Sequence, residues 1–335
     1  MKIHEKYIKR CIELSKNGLP SAMPNPSVGA LLVVEDRIIA EGYTSAYGGN
    51  HAEVNAIRYA QTHTPALITK ATLYVTLEPC SHFGKTPPCA DLVITSGIPK
   101  VVIGTIDPHA KVAGNGIKKL IEAGIDVTVG VLEAECYEAN KRFFTFNKKK
   151  RPYIILKWAE TWDGYIAPLE RSKTAPVWIT NTYSRQLVHK WRSEEQAILV
   201  GAQTVLADNP SLTTRDWYGK SPLRIVLDER DDLPKETAVF NQEAETMVIA
   251  SQDPEEIGHI LYEKDIQSVI IEGGSKTLQR FIDSDIWDEA RVFTGKTIFG
   301  GGTKAPIFTQ KQQSNIPVYQ YIKGDTLTIY KNNKL

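Results

Sequence analysis

Four side chains in the first third of the chain have the types and the order of a catalytic zinc site. His51 and Glu53 lie two residues apart, and Cys80 and Cys89 follow downstream. One imidazole and two thiolates suit Zn²⁺, and three protein ligands leave its fourth position open for a water. Zinc lowers the pKa of such a water toward neutrality, and Glu53, which is not needed as a ligand, is predicted to carry its proton. The pattern predicts one catalytic Zn²⁺ per chain.

The elements around these residues are predicted to position them. Residues 54–60 have the composition of a helix. Side chains two apart in mid-helix point to nearly opposite faces, so His51 and Glu53 converge on one metal only if His51 lies in a less regular first turn. Cys89 follows two prolines and precedes a predicted short helix over 90–96. Cys89 is therefore expected at a helix start, where the helix dipole favours a thiolate.

Composition and charge are those of a globular enzyme. The chain has 335 residues, 42% of them hydrophobic, four cysteines and a formal net charge of +1. This near-neutral charge lacks the electrostatic signature of nucleic-acid binding, so no nucleic-acid partner is predicted. No apolar run approaches membrane-spanning length, and the first residues lack the apolar core of a signal peptide. A cytoplasmic protein without a membrane partner is expected.

A run of cations divides the chain. Residues 148–151 are Lys-Lys-Lys-Arg and precede a proline, a pattern typical of an exposed linker, although a phosphate or nucleic-acid patch is the alternative interpretation. Predicted strands and helices alternate on both sides, which indicates two α/β domains, residues 1–147 and 152–335. The strands are predicted within 28–40 (a pair turning at 35–36), 73–77, 101–104, 127–129, 153–157, 197–201, 224–228, 247–250 and 268–271.

Three motifs resemble those of the bifunctional deaminase–reductases of riboflavin biosynthesis. They are residues 24–29 (PNPSVG), 51–56 (HAEVNA) and 78–89 (EPCSHFGKTPPC). The last is specific, because eight residues separate Cys80 from Cys89, whereas other zinc deaminases space the two cysteines two residues apart. The resemblance covers essentially the whole chain. It implies a cytidine-deaminase-like α/β/α domain followed by a domain similar in fold to dihydrofolate reductase.

For the first domain, the resemblance implies deamination of a diaminopyrimidinone that carries a ribosylamino 5′-phosphate. Asn25, His82 and Lys85 are then the expected contacts to this small molecule, and Asn25 offers both a donor and an acceptor to a pyrimidine edge. Two positions depart from the family pattern. Thr44 stands where the family commonly has His, and Lys85 stands where Arg is frequent, which loses bidentate geometry.

For the second domain, the resemblance implies NADPH-dependent reduction of the ribosyl group to ribityl. No G-x-G-x-x-G motif occurs in this half of the chain, so the prediction of NADPH as the cofactor depends on the resemblance. Two arginines suit a phosphate, and Lys157 is interpreted as orienting or protonating the opening sugar. The implied substrate contacts are Lys157, Arg192, Leu212, Arg215 and Glu272. The implied NADPH contacts are Ala159, Trp178, Thr204, Asp208 and the run Gly274, Ser275, Lys276, Thr277, Leu278, Gln279 and Arg280.

Two departures and two alternatives accompany this interpretation. Pro176 stands where the family often has Ser and offers no donor, and Trp162 replaces a smaller residue, interpreted as core packing. A nucleic-acid deaminase shares His-x-Glu and Pro-Cys, but the long cysteine loop, the neutral charge and the second half oppose it. The alternative of a non-catalytic zinc-binding protein is opposed by Glu53 and by the open metal position. Ammonia release would distinguish an enzyme from such a binding protein. A homo-oligomer is expected.

Overall fold

The computed structural model describes residues 2–83, 87–107, 114–171, 174–309, 312 and 316–332. Its contacts divide the chain into two compact units, Met1–Lys149 and Lys150–Leu335. Both units are α/β, as the alternation of strands and helices predicts. Among the helices of the described residues, none is long and apolar enough to cross a membrane.

The first unit is built on a sheet with the strand order β2-β1-β3-β4-β5. The turn at Glu35–Asp36 joins β1 and β2 as predicted, and both turn residues have positive φ angles, 47° and 63°. β1 also pairs antiparallel with β3, whereas β3, β4 and β5 run parallel. The elements are α1 (Lys2–Ser15), β1 (Gly29–Val34), β2 (Arg37–Tyr43), α2 (Ala52–His63), β3 (Thr72–Leu77), α3 (Cys89–Thr95), β4 (Lys100–Thr105), α4 (Asn115–Glu122), β5 (Asp126–Val129), α5 (Glu133–Ala139) and α6 (Lys141–Lys149).

Helices cover both faces of this sheet. Successive side chains of a strand point to opposite faces, and β1 follows this rule. Ala30 and Leu32 pack in the core that contains residues of α2, α3 and α4. Leu31 and Val33 pack in a second core with residues of α1 and with Cys136 of α5. The unit is therefore the three-layered α/β/α arrangement that the sequence predicts.

The cationic run at the end of the first unit is partly helical, which corrects the interpretation of 148–151 as a linker throughout. Lys148 and Lys149 form the last turn of α6, whose Phe144 and Phe146 are buried. Cations are favoured at a helix C-terminus because they interact with the negative end of its dipole. The run therefore completes a packed helix before the chain enters the second unit.

The second unit contains a sheet with the order β10-β9-β8-β11-β6-β12-β15-β14, and a separate pair of strands, β13-β7. The strands from β10 to β12 pair in parallel, and β15 and β14 are added antiparallel. The elements are β6 (Tyr153–Glu160), β7 (Tyr165–Pro168), α7 (Thr182–Glu194), β8 (Ala197–Gly201), α8 (Ala202–Asp208), β9 (Leu223–Leu227), β10 (Thr246–Ile249), α9 (Pro254–Glu263), β11 (Ser268–Ile271), α10 (Ser275–Asp283), β12 (Glu289–Thr294), β13 (Gly302–Lys304), β14 (Val318–Ile322) and β15 (Asp325–Lys331).

Trp162 is not part of the core, so the interpretation of this residue as core packing is wrong. Its side chain is 74% exposed in the turn between β6 and β7. The turn is held through polar groups instead: the Trp162 amide donates to the Thr297 carbonyl, and Asp163 accepts from the amides of Phe299 and Gly300. These bonds fix the backbone while the indole ring points outward.

Candidate active sites

His51 is the N-cap residue of α2, which confirms that it precedes the regular turns of the helix. Its backbone is extended, with φ −70° and ψ 164°, and its carbonyl accepts the first helical hydrogen bond, from Asn55. Glu53 lies in the first turn and is 4% exposed. The change of backbone conformation between the two residues lets both side chains serve one site despite their spacing of two.

Two elements position the thiols. Cys80 follows β3, whose last residue is Leu77, and Cys89 is the first residue of α3, as predicted. The first two amides of α3 hold Cys80 in place: the Cys89 amide donates to the Cys80 sulfur at 3.3 Å, and the Ala90 amide donates to the Cys80 carbonyl at 3.1 Å. The start of α3 thus carries one thiol and orients the other.

The three predicted ligands converge. The His51 Nδ1 atom lies 3.6 Å from the Cys80 Sγ and 3.2 Å from the Cys89 Sγ, and all three atoms lie within 4.8 Å of one another. Zinc–nitrogen and zinc–sulfur bonds at a tetrahedral angle place the two ligand atoms about 3.6 Å apart. The residues therefore fit a zinc ion held through Nδ1 and two sulfurs, with a fourth position left open.

The protonation equilibria of this group favour a thiolate at Cys80 and hold protons on its neighbours His51 and Cys89, both of whose pKa values are raised, so zinc would bind by displacing protons. A hydrogen bond with Cys89 lowers the pKa of Cys80 to about 4, and interaction with Cys80 raises the pKa of His51 to about 8. Burial raises the pKa of Glu53 to about 7. A buried carboxyl that titrates near neutral pH is suited to accept a proton in one step and to release it in the next.

Glu78 supports this site and was not recognised from the sequence. It lies two residues before Cys80 and is 4% exposed. One carboxylate oxygen accepts from the Gly116 and Ile117 amides at the start of α4, and the other accepts from the amides of Asp107 and Gly114. A side chain added to Gly116 would lie 2.0 Å from the Pro79 carbonyl oxygen. The chain leading to Cys80 is therefore docked tightly against α4.

The other residues expected to contact the pyrimidine are placed less fully. Asn25 is half-buried, and its backbone amide donates to the Ala22 carbonyl. His82 is exposed. Lys85 lies outside the described residues. Thr44 is buried, and its hydroxyl accepts from the Val28 amide at 2.9 Å. The threonine that replaces the family histidine therefore binds the backbone of the segment that follows Asn25.

The second unit contains a cavity of about 1000 Å³. This volume is at the upper end of the range for small-molecule sites, about 300–1,000 Å³. Most of the residues expected to contact substrate or NADPH line it, and Pro176, which stands in place of the family serine, lines it too. The predicted residues on its wall are Lys157, Ala159, Trp178, Arg192, Thr204, Asp208, Leu212, Arg215, Glu272, Gly274, Ser275, Lys276 and Thr277.

Three expected NADPH contacts are not among the described residues on that wall. Leu278 is fully buried in the core of the sheet, Gln279 bonds to Asp283 and to the Ile307 carbonyl, and Arg280 is exposed. These three residues follow Thr277 in α10, and their side chains pack in the core, bond to other groups or are exposed instead of facing the cavity. Of the run 274–280, the structure thus places only residues 274–277 on the cavity wall.

A buried polar cluster forms one wall of the cavity. The Arg192 Nη2 atom donates to the Glu272 Oε2 atom at 2.8 Å, and the Lys157 Nζ atom lies 3.8 Å from the same oxygen. The two cations, Arg192 first, lower the pKa of Glu272 to about 2 against the effect of burial. Within the described part of the chain, the Glu272 Oε1 and Arg192 Nε atoms are buried without a hydrogen-bond partner. These atoms are therefore available to bind a ligand or a water that enters the cavity.

The remaining predicted contacts lie at the start of α10, on α8 and in the segment before α7. The Thr204 hydroxyl of α8 accepts from the Gly274 amide at 2.8 Å, directly before α10 begins. Asp208 at the end of α8 pairs with Arg171, and the exposed Trp178 ring carries the Arg185 guanidinium 5.0 Å from its centroid. An aromatic face together with a helix start fits a dinucleotide, because the start of a helix attracts phosphate.

Sequence reasoning gave no role to two polar residues of this cavity, Arg185 and His189. Arg185 and His189 line it together with Arg192, and all three belong to α7. Their spacing of four and then three residues places them on one face of the helix. That spacing was the signal by which they could have been found.

Comparisons with known proteins relate both halves of the chain to one family. The family model for the cytidine and deoxycytidylate deaminase zinc-binding region matches residues 1–105, and that for the RibD C-terminal domain matches residues 152–328. The riboflavin biosynthesis protein RibD of Aquifex aeolicus is 41% identical over 323 residues, covering 90% of this chain and 89% of that protein. RibD of Escherichia coli is 33% identical over 336 residues, covering 90% of this chain and 89% of that protein.

A solved structure extends the agreement to the fold. The diaminohydroxyphosphoribosylaminopyrimidine deaminase/5-amino-6-(5-phosphoribosylamino)uracil reductase of Thermotoga maritima has a TM-score of 0.91 at 41% identity, covering 98% of this chain and 99% of that chain. The second unit accordingly has the fold of the dihydrofolate-reductase-like RibD reductases. The chain belongs to the RibD family, the bifunctional enzymes of riboflavin biosynthesis that join a zinc-binding deaminase domain to an NADPH-dependent reductase domain.

Proposed function

We propose that this enzyme deaminates 2,5-diamino-6-(5-phosphoribosylamino)pyrimidin-4(3H)-one and then reduces the ribosyl group of the product to ribityl. The convergence of His51 Nδ1 with the two sulfurs at 3.2 and 3.6 Å, beside the buried Glu53, carries this proposal. These three ligands hold one zinc per chain, and the deaminase and reductase domains correspond to the units Met1–Lys149 and Lys150–Leu335. The name of the Thermotoga maritima protein supports the substrate.

In the deaminase domain, Glu53 moves protons and the neighbouring residues hold its position. Bound zinc supplies the Lewis acidity by which a water attacks the amino-bearing ring carbon near neutral pH. The Glu53 carboxylate takes a proton from this water and returns it to the departing amine, so that ammonia leaves and a carbonyl remains. Asn25, His82 and Lys85 contact the pyrimidine and its phosphoribosyl arm.

In the reductase domain, the buried cluster binds the sugar phosphate. Arg192 and Arg215 pair with the phosphate, and Leu212 packs against the bound arm. The unpartnered Glu272 Oε1 atom accepts a hydrogen bond from a sugar hydroxyl, which removes the cost of an unsatisfied buried acceptor. Burial lowers the pKa of Lys157, so its Nζ atom gives up a proton more readily to the oxygen of the opening sugar.

NADPH supplies the hydride that is added to the opened sugar carbon. Trp178, Thr204, Asp208 and the start of α10 hold the dinucleotide in this proposal, with Ala159 at the same wall. The cavity volume of about 1000 Å³ supports side-by-side binding of cofactor and substrate.

The remaining parts of the proposal concern the setting of the enzyme. A cytoplasmic setting agrees with the four free cysteines, two of which must stay reduced to bind metal, and the net charge of +1 agrees with the lack of a nucleic-acid partner. The proposal also includes a homo-oligomer. Size measurement in solution tests the oligomer.

A coupled assay with the diaminopyrimidinone tests the function, with ammonia release and NADPH oxidation followed separately. Ammonia should appear without NADPH, and NADPH should be oxidised only after ammonia has appeared. A protein that deaminates single-stranded nucleic acid but not this pyrimidine would support the nucleic-acid alternative. Bound zinc without any ammonia release would support the binding-protein alternative.

A further inference from the structure

One face of α7 holds the segment that carries Arg215. The Arg192 Nη1 atom donates to the Thr213 carbonyl at 3.2 Å, the Arg215 amide donates to the His189 Nδ1 atom at 3.2 Å, and the Arg185 Nε atom lies 2.7 Å from the Asp216 carboxylate. The segment is therefore fixed at three successive points along the helix. His189 supplies the contact to Arg215 itself.

The hydrogen bond from Arg215 defines the state of the His189 ring. Since Nδ1 accepts a hydrogen bond from a backbone amide, the proton of the neutral ring resides on Nε2, which faces the Asp216 Oδ2 atom at 3.6 Å. His189 is 1% exposed. Burial, followed by the charges of Arg192 and Arg215, lowers the pKa of this ring to about 4, against the opposing charges of Asp216 and Glu272. The neutral acceptor form is therefore the form present at neutral pH.

We propose that His189 is a positioning residue of the reductase: it fixes the backbone at Arg215 and so aims the Arg215 guanidinium at the substrate phosphate. Asp216 orients the imidazole by facing Nε2. The inference rests on the proposed function, because it requires that the phosphate binds at Arg192 and Arg215. His189 needs no contact with substrate for this role, in keeping with its burial.

Two substitutions at this position form a matched pair. His189→Asn retains an oxygen close to the place of Nδ1, so it can still accept the Arg215 amide, whereas His189→Leu has a similar size and no acceptor. We expect His189→Leu to raise KM for the phosphorylated substrate about tenfold, with kcat within about twofold, as the loss of one buried acceptor implies. His189→Asn should restore KM nearly to that of the wild type. Ammonia release and KM for NADPH should be unchanged in both.

A substrate without the 5′-phosphate separates positioning from general damage. Wild type and His189→Leu should show the same KM for this dephosphorylated compound, because the aim of Arg215 no longer matters. An equal rise of KM for both compounds would overturn the inference. If Arg215→Ala raises KM for the phosphorylated substrate but His189→Leu does not, the role given to His189 is wrong while the proposed phosphate site stands. If Arg215→Ala has no effect on that KM, the proposed phosphate site fails.

Asp216→Ala decides the question if His189→Leu does not fold. The Asp216 side chain is 32% exposed, so its truncation leaves the core intact. It removes the partner of both Arg185 and His189 Nε2. KM should rise several-fold for the phosphorylated substrate only, and by more than in Arg185→Ala, which removes the other partner of Asp216 alone. An equal rise in both variants, or an unchanged KM, contradicts the role given to the His189–Asp216 pair.

Discussion

At the scale of single residues, the burial of Glu53 suits this carboxyl group to proton transfer. Its carboxyl is enclosed, and burial raises its pKa to about 7. We expect Glu53→Gln to keep zinc and to lose deamination by ~10²–10⁴-fold, because an amide cannot shuttle a proton. Metal content and ammonia release measure the two effects. Near wild-type ammonia release would refute the role of Glu53.

Cys80 should link metal and activity. We expect Cys80→Ser to lose zinc and ammonia release together, because a hydroxyl is a poor substitute for one of three zinc ligands. Cys136→Ala is the control, since this cysteine is also free but is buried in the core with residues of α1. The control should retain its metal. Full zinc occupancy in Cys80→Ser would show that the ligand assignment is wrong.

His189 predicts how acid acts on the second unit. Its pKa is held at about 4, below the ordinary 6.5, so the unfolded chain binds a proton at this ring in a range where the folded chain does not. The contribution of His189 to stability is therefore complete above pH 6.5 and declines as the pH falls toward 4. His189→Asn, which does not titrate, should show a shallower loss of stability between these limits.

Tryptophan fluorescence is the natural probe for this prediction, because all six tryptophans lie after residue 150. Urea midpoints of wild type and His189→Asn should diverge between pH 4.5 and 6.5 and run parallel above that range. Parallel behaviour over the whole range would contradict the depressed pKa of His189.

At the scale of elements, the zinc site depends on how β3, α3 and α4 meet. Glu78 accepts four backbone amides and so ties the segment before Cys80 to α4. In Glu78→Gln, one carboxylate oxygen is replaced by an NH₂ group, which cannot accept hydrogen bonds from the backbone amides that it faces. We expect a loss of about 1–3 kcal/mol in the stability of the first unit, with weaker zinc binding.

Competition with a chelator and calorimetry measure these two effects of Glu78→Gln. Glu122→Gln at the exposed end of α4 is the control, because the ion pair of Glu122 with Lys118 is solvent-exposed and contributes little to stability. The tryptophan signal of the second unit should not change. Unaltered zinc affinity in Glu78→Gln would show that α4 does not support Cys80.

The sequence predicted the parts of the fold whose signals are local. The positions of His51 before α2 and Cys89 at the start of α3 follow from prolines, caps and spacing, and the structure confirms both. β12 was missed because its charged Glu289 and Arg291 interrupt the apolar pattern, although both are buried in a hydrogen-bonded pair. β14 was missed because its side chains are mostly exposed. Neither strand carries the pattern of a half-buried strand.

The site was predicted by residue type but not by contact. Glu78 and His189 act on partners 38 and 26 residues away, and no spacing rule connects such pairs. Leu278 was included in a cofactor-binding run, yet the rotation of α10 buries it in the core. Motifs identify reactive groups, whereas the residues that orient those groups are determined by tertiary packing.

At the scale of the whole molecule, each unit contains its own chemical groups. The zinc ligands and Glu53 belong to the unit Met1–Lys149, and the Lys157–Glu272–Arg192 cluster belongs to Lys150–Leu335. A division of this kind predicts that the two reactions respond to different perturbations. A composite site shared by both units predicts that any damage affects both reactions equally.

Removal of the metal distinguishes these accounts. After treatment with a chelator, ammonia release should stop, while the deaminated intermediate, supplied directly, should still be reduced with NADPH at an unchanged rate. Arg192→Ala should do the reverse, because loss of a charge-assisted contact to the phosphate costs roughly 1.5–3 kcal/mol in the reductase step alone. Readdition of Zn²⁺ should restore ammonia release to the chelated wild type. Parallel loss of both activities in either experiment would favour the composite site, because independent centres have no physical reason to fail together.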